Sequence, residues 1–243
     1  MAENIGLGLE IFRNIGRKVR GSNLVLKLDM EKAYDKVEWG FMVQVLLKGL
    51  RQGDPLSPSV FILCAEVFSR SISRLVAAGT VTPFRLKQGC IQISHLLYAD
   101  DTILFLNGAA SSLSKMRQFI SKYQEVLGQK VNPRKSALFV SSKVLPGRVR
   151  SIERSLGFYK ADGVLSYLGV PIVKGRMLSS VFKPLLDKIS ARVQGWNVRL
   201  FSQASHLTLI SHVLSNIPIH SLAAIILLAK VIGLMERSFS NFF

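Results

Sequence analysis

The stretch HLLYADDTILF, residues 95–105, places two adjacent acids, Asp100 and Asp101, between two apolar runs. The runs are separated by the length of a hairpin loop, so we expect Tyr98–Asp101 to lie at or beside a tight turn between two strands. An ionised carboxylate that leaves water without a partner costs several kcal/mol. The two acids therefore indicate either a bound cation or an ordinary turn, where Asp is favoured because it tolerates left-handed backbone.

A third acid, Asp29, follows the apolar run LVLKL within a strand that we predict over residues 24–30. If this strand neighbours the hairpin in one sheet, Asp29 and Asp100 meet at one edge of that sheet. Carboxylates stay ionised together when an opposing charge lies among them, and hard divalent cations prefer oxygen ligands. The cation interpretation therefore predicts a Mg²⁺ site, in which carboxylates and substrate phosphates share the ion.

The rest of the pattern is that of an α+β protein with a helical C-terminal part. Apolar periodicity and turn residues predict helices over residues 3–20, 32–48, 59–79 and 111–127, a loop over 51–58, and strands over 135–142 and 164–172. Beyond residue 175 the periodicity is helical again, with lysines and arginines on several faces. We therefore predict an α+β domain over residues 1–175 and a basic helical segment over 176–243.

The charge of the chain points to a polyanionic partner. Lysine and arginine total 32 against 15 acids, a net charge of +17, and most of this excess lies after residue 112. Such an imbalance is typical of proteins that bind nucleic acid and less common at anionic membranes. A generally basic surface without a specific partner is the alternative.

Cysteine usage and hydropathy indicate an intracellular protein, in the nucleus or the cytoplasm. Cys64 and Cys90 offer neither a disulfide framework nor zinc spacing. The N-terminal residues lack the basic start and apolar run of a signal peptide. The longest apolar run, Leu222–Ala229, falls well short of the ~20 residues that span a bilayer. We therefore expect no transmembrane segment and do not favour a membrane-associated interaction protein built on this run.

Five motifs occur in an order that resembles reverse transcriptases of plant LINE-type (non-LTR) retrotransposons. They are KLDMEKAYDKVEW, GLRQGDPLSPSVFILCAE, HLLYADDTILF, GQKVNPRKS and YLGVPI. The resemblance implies an incomplete polymerase palm, an antiparallel sheet with packed helices, preceded by part of the fingers within residues 1–175. It implies a helical thumb-like region over residues 176–243. The activity implied is RNA-directed DNA synthesis with two Mg²⁺ ions, an RNA template, a DNA primer and dNTPs.

The resemblance also implies roles for individual residues. Asp29, Asp100 and Asp101 correspond to the catalytic, metal-binding acids, of which Asp29 and Asp100 form the indispensable pair. Tyr34 corresponds to the side chain under the incoming sugar, although an ordinary core tyrosine is the alternative. Gln52 and Gly53 correspond to contacts with the incoming nucleotide and the template.

Further residues are implied for the phosphates and the primer. Lys135 corresponds to a lysine that assists pyrophosphate departure, with a generic phosphate contact as the alternative. Leu168 and Gly169 correspond to the turn that holds the primer end. The basic helices that follow, with Lys183, Lys188 and Arg192, correspond to a surface that grips the duplex by charge.

One departure from the family pattern leads to two different hypotheses about function. Relatives carry several dozen residues between the helix after the first aspartate and the RQGDPLSP loop, whereas here Lys48 runs directly into Gly49. One hypothesis is an active RNA-directed DNA polymerase. The other, which we favour for this chain, is an internally deleted, truncated retrotransposon remnant that is inactive and retains at most non-specific nucleic-acid binding.

Overall fold

A computed structural model describes residues 2–31, 57–87, 89–99, 101–127, 130–161, 163–174, 178–196, 201–219 and 229–243. The chain divides into two compact units, residues 14–163 and residues 1–13 with 164–243. Helices pack with antiparallel strands in the first unit, and the second unit contains helices and a hairpin. The predicted α+β class with an antiparallel sheet is therefore confirmed. The assignment of residues 1–175 and 176–243 to palm and thumb stays a prediction.

The first unit is built on a five-stranded antiparallel sheet. Its strands are β1 (Asn23–Glu31), β2 (His95–Tyr98), β3 (Asp101–Asn107), β4 (Lys130–Val131) and β5 (Ala137–Val140). Strand β3 lies between β2 and β1, and both β4 and β5 pair with the opposite side of β1, at its two ends. β1 is therefore the central strand. It was predicted to within a residue at each end because its apolar run is bounded by turn residues.

Side chains along β1 alternate between a face that packs in the core and a second face of the sheet. Leu24, Leu26, Leu28 and Met30 are buried in one cluster with helices α2 (Ser57–Ala77) and α3 (Ala110–Leu127). Within that core the Phe68 ring lies 5.4 Å from Phe119 and 4.8 Å from Tyr123, in tilted and edge-on arrangements. Successive strand residues point to opposite faces. Lys27 and Asp29 therefore belong to the other face of the sheet.

Helix α4 (Pro146–Leu156) completes the first unit and was not predicted. The sequence carries two boundary signals for it, Pro146 at its start and Gly157 after its end, where φ is +82°. Only Ile152 and Leu156 are buried on it, so its apolar stripe is narrow. The weak periodicity explains why pattern analysis missed this helix.

The second unit contains helices and a hairpin among its described residues. The elements are α1 (Ala2–Arg13), β6 (Leu165–Tyr167), β7 (Val170–Ile172), α5 (Lys183–Gln194), α6 (Gln203–Leu209) and α7 (Ala229–Phe242). A 3₁₀ turn over Ser179–Phe182 precedes α5, and a π-helical turn over Ile210–Leu214 follows α6. His206 packs edge-on against the Phe242 ring, with centroids 5.0 Å apart, and so ties α6 to α7.

Two predicted elements differ in extent from the structure. The helix predicted over residues 3–20 ends at Arg13, because the chain turns through a 3₁₀ segment at Asn14–Gly16. The strand predicted over 164–172 is a hairpin, because Leu168 and Gly169 both have positive φ, +52° and +76°. The helix predicted over 32–48 and most of the loop over 51–58 lie outside the described residues. Within the described segments no helix has the length and apolar character to cross a membrane.

Candidate active site

Asp29 on β1 and Asp101 on β3 are direct register partners in the antiparallel sheet. The Cβ atoms of such partners lie ~4.5–5.5 Å apart on the same face. Both carboxylates are half-buried, and both lie on the face turned away from the helical core. The sheet therefore brings together two of the three acids that the sequence singled out.

The hairpin that carries the predicted acids has the expected tight connection. Tyr98 and Asp101 are register partners at the end of the β2–β3 pair, and Ala99 follows Tyr98 in a turn. Ala99 has φ of +49°, a left-handed conformation that costs an L-residue about 1–2 kcal/mol. Asp100 lies outside the described residues. The predicted turn is confirmed, and its backbone is strained at Ala99.

Lys27 adds a positive charge to this face. Its Nζ lies 2.9 Å from Oδ1 of Asp101, and the two side chains are 20% and 25% exposed. Because Lys27 precedes Asp29 by two residues on one strand, the two share a face. The sequence analysis missed this residue. A lysine two residues before Asp29 in the otherwise apolar strand LVLKLDM could have indicated it, because residues two apart on a strand share a face. The ion pair balances the charge of one carboxylate without a metal.

The loop between β4 and β5 is hydrogen bonded to the backbone of Asp29 on both sides. The Asn132 N–H donates to the Asp29 carbonyl at 2.8 Å, and the Asp29 N–H donates to Ser136 Oγ at 3.1 Å. Lys135 lies in this loop with an exposed side chain, and its N–H donates to Asn132 Oδ1 at 3.3 Å. The structure thus places Lys135 in a segment anchored to Asp29. Sequence reasoning missed Asn132 and Ser136, whose roles depend on this register.

The carboxylate oxygens at this edge are the kind of ligand that a hard cation prefers. Among the described residues, however, they are too few to form a complete metal site. Asp29 and Asp101 supply carboxylate oxygens, and Mg²⁺ in proteins usually takes one or two carboxylates together with substrate phosphates. No group of three or more His, Cys, Asp or Glu side chains that could hold a metal occurs in the described part of the chain, which excludes Asp100. Among the described residues, agreement with a Mg²⁺ site therefore depends on the two carboxylates of Asp29 and Asp101.

A second group of predicted residues meets in the other unit. Leu168 and Gly169 form the two-residue turn of the β6–β7 hairpin, where positive φ at both positions matches the twist of the strands. Gly169 and Lys188 line one depression of about 410 Å³. Lys183 and Arg192 are exposed on the same helix, α5, as Lys188. The structure brings the turn together with one of the three predicted basic residues.

The remaining predicted nucleotide contacts, Tyr34, Gln52 and Gly53, lie outside the described residues. Their roles stay predictions.

Residues 42–172 match the model of the family described as reverse transcriptase (RNA-dependent DNA polymerase). The match covers more than half of the chain, which therefore belongs to this reverse transcriptase family. It includes the Asp100–Asp101 hairpin, Lys135 and the Leu168–Gly169 turn. It begins after β1, so Asp29 lies outside it.

Relatives of this chain include two proteins of Arabidopsis thaliana. One is named as an uncharacterized mitochondrial protein and is 51% identical over 55 residues, which are 23% of this chain and 45% of the relative. The other, named "Putative ribonuclease H protein", is 31% identical over 68 residues, 28% of this chain and 11% of the relative. The chain thus spans less than half the length of the first relative and about a tenth of the second.

Proposed function

We propose that this chain carries the nucleotidyl-transfer centre of an RNA-directed DNA polymerase of the LINE-type (non-LTR) retrotransposon class. The observation that supports this proposal best is the pairing of Asp29 with Asp101 across β1 and β3, in a chain of the reverse transcriptase family. In this proposal the sheet with α2 and α3 is the palm, and the helices from α5 onward form the thumb-like region.

The proposed chemistry assigns the metal-binding role to Asp29, Asp100 and Asp101. These carboxylates would hold Mg²⁺, which would supply activation of the primer hydroxyl and stabilisation of the leaving pyrophosphate. Lys135 lies in the loop that is hydrogen bonded to the Asp29 backbone, and there it neutralises the charge of the substrate phosphates.

The same proposal assigns substrate positioning to the other predicted residues. Tyr34 packs under the incoming sugar, and Gln52 and Gly53 approach the nucleotide and template. The Leu168–Gly169 turn holds the primer end, and Lys188, which lines the same depression as Gly169, contacts its phosphates. Lys183 and Arg192 bind the duplex backbone by charge and without reading sequence.

A second candidate function, the one favoured on the sequence alone, is that of an internally deleted retrotransposon remnant, inactive as an enzyme, that binds nucleic acid non-specifically. The direct junction of Lys48 with Gly49 favours it, because the family pattern that the motifs resemble has several dozen residues there. The Lys27–Asp101 ion pair also favours it, since one carboxylate is already neutralised within the protein. Its basic composition accounts for nucleic-acid binding without catalysis.

Primer extension on an RNA template separates the two candidates. The full chain is incubated with a labelled DNA primer, dNTPs and Mg²⁺, beside Asp100→Asn and a matched control, Asp187→Asn, which removes an exposed acid on α5. The polymerase proposal predicts extension that Asp100→Asn abolishes and Asp187→Asn leaves unchanged. Absence of extension by the wild-type chain, together with salt-sensitive RNA binding, would establish the remnant.

A further inference from the structure

A basic depression of about 530 Å³ lies in the first unit, away from every residue assigned above. Its lining includes five cationic side chains and no acidic residue. These are Arg17, Lys18, Arg20, Lys143 and Arg148. Cavities of small-molecule sites measure ~300–1,000 Å³, so the depression has room for a nucleotide-sized group.

The depression lies at the opposite end of the sheet from the acids. Ser22, in its lining, directly precedes β1, and Ser141, also in its lining, directly follows β5. Because β5 runs antiparallel to β1, with Val140 opposite Leu24, these two residues flank the same end of the strand pair. Asp29 is six residues further along β1 than Asn23, a separation of about 20 Å at ~3.3 Å per residue. The depression is therefore distinct from the carboxylate site.

Hydrogen bonds fix the backbone that forms one wall of the depression. The Gly108 N–H donates to the Ser22 carbonyl at 2.8 Å, and Asn107 Nδ2 donates to the Arg20 carbonyl at 2.9 Å. A Cβ atom on Gly21, where φ is +93°, would lie 2.1 Å from Asn107 Oδ1. The segment that carries Arg17, Lys18 and Arg20 is thus attached closely to the sheet.

The part of the lining over residues 143–148 adds a helix terminus and a further hydrogen bond. Arg148 lies in the first turn of α4 and donates from Nη2 to the Gly108 carbonyl. The positive end of the α4 dipole lies at Leu145 and Pro146, beside the depression. Two chemically independent features, the five cations and this helix terminus, therefore favour an anion at the same place.

The lining is also partly apolar, which favours an organic phosphate over a free ion. Leu145 is 76% exposed next to the cations, and Val144 lies beside it in the lining. An exposed leucine contributes nothing to binding inorganic phosphate, but it can contact a sugar or a base. Single-strand binding combines cations for the phosphates with side chains, usually aromatic, that contact the bases. Here Val144 and Leu145 supply an aliphatic surface in that position.

We propose that this basic depression binds the phosphodiester backbone of single-stranded nucleic acid, at a site separate from the carboxylates. The inference goes beyond the proposed function, because it holds whether or not Asp29, Asp100 and Asp101 support catalysis. A strand bound here requires no metal and no particular base sequence.

The test compares two charge-matched triple variants of the full chain. Arg17→Gln, Lys18→Gln and Lys143→Gln remove exposed cations of the depression and leave the hydrogen-bonded Arg148 in place. Arg74→Gln, Lys87→Gln and Lys122→Gln remove three exposed cations of the same unit that do not line it. Binding of fluorescent oligo(dT) is followed by anisotropy over a salt series without Mg²⁺.

We expect the depression triple variant to bind on the order of tenfold more weakly at ~0.1 M salt. We expect its slope of log affinity against log salt to fall by about 2, since each single-strand phosphate contact contributes ~0.7. The control triple variant should change both quantities much less. Equal losses in the two triple variants would overturn the proposal, because general charge would then explain binding.

Lysine acetylation of the wild-type chain provides a second readout that does not depend on folding of any variant. Oligo(dT) should protect Lys18 and Lys143 from acetylation, as measured by mass spectrometry, and leave Lys87 and Lys122 reactive. Protection by phosphatidylserine vesicles in place of oligo(dT), or by neither, would overturn the proposal. Asp100→Asn should retain the protection even where primer extension is absent, so failure of catalysis and failure of this site are distinguishable.

Discussion

Lys27 and Asp101 form an ion pair across β1 and β3, with Nζ 2.9 Å from Oδ1. The two residues are diagonal neighbours, since Lys27 lies opposite Ile103 and Asp101 lies opposite Asp29. The lysine therefore crosses the face of the sheet on which both acids lie. The cation of Lys27 therefore lies against a carboxylate that is only 25% exposed.

Replacement of Lys27 by methionine should destabilise the protein. Methionine keeps the length of the side chain but leaves two half-buried carboxylates opposite each other without this cation. We expect a loss of about 1–2 kcal/mol in the free energy of unfolding, between the values for exposed and fully buried ion pairs. Urea denaturation of Lys27→Met, Asp101→Asn and the double variant measures the coupling. Strictly additive losses would show that the contact contributes nothing.

His95 should make stability depend on pH. It lies at the start of β2, with Nε2 2.8 Å from Ser69 Oγ and Nδ1 2.8 Å from Ser94 Oγ, and burial lowers its pKa. The folded state thus favours the neutral ring, whereas the unfolded chain takes up a proton near pH ~6.5. The stabilising contribution is complete above that pH and is lost as the pH falls through the lowered pKa.

The pH prediction is checked by urea denaturation midpoints at several pH values between neutral and mildly acidic. His95→Gln should flatten the decline on the acid side. His212→Gln, a change at an exposed histidine, should leave the decline as in the wild type. Identical acid profiles for the wild type and His95→Gln would contradict the assignment.

Sequence reasoning identified β1, the hairpin and the acids because each has a local signal. An apolar run bounded by turn residues predicted β1, and two runs at hairpin spacing predicted the turn beside Ala99. The contacts of Lys27 and of Ser136 could not be predicted, because they depend on which residues lie opposite each other in the sheet. A shift of register by one residue would move Lys27 to the core face.

The basic depression illustrates a second limit. Arg17, Lys18 and Arg20 were assigned to the end of a helix, and Lys143 lies in a segment without a predicted element. They come together only because β1 and β5 are antiparallel and adjacent. The sequence indicated a nucleic-acid partner from net charge, but the location of this charge follows from the topology of the sheet.

Gly108 should tolerate no larger residue. A Cβ atom there would lie 2.4 Å from the Gly21 carbonyl oxygen, a backbone atom that cannot move independently. We expect Gly108→Ala to lower the free energy of unfolding by more than about 1 kcal/mol. Gly147→Ala is the matched control, because its Cβ would meet nothing within 4 Å and it lies in the first turn of α4. That change should stabilise the protein slightly, and equal effects at the two positions in urea denaturation would contradict this account.

Replacement of Ala99 by glycine should not lower the stability of the protein, although replacement of most alanines by glycine does. Its φ of +49° is strained for any residue with a Cβ atom, and glycine removes this strain. The gain is offset by the extra freedom of glycine in the unfolded chain, so we expect Ala99→Gly to be neutral or stabilising by less than ~1 kcal/mol.

The control for Ala99 is Ala77→Gly, a change at the last residue of α2, which should destabilise by up to ~1 kcal/mol. Ala99→Val should destabilise by more than ~1 kcal/mol, because a β-branched residue is least compatible with left-handed backbone. Urea denaturation of the three variants gives the order of their free energies of unfolding. If Ala99→Gly lowers stability as much as Ala77→Gly does, the hairpin turn is not strained at Ala99.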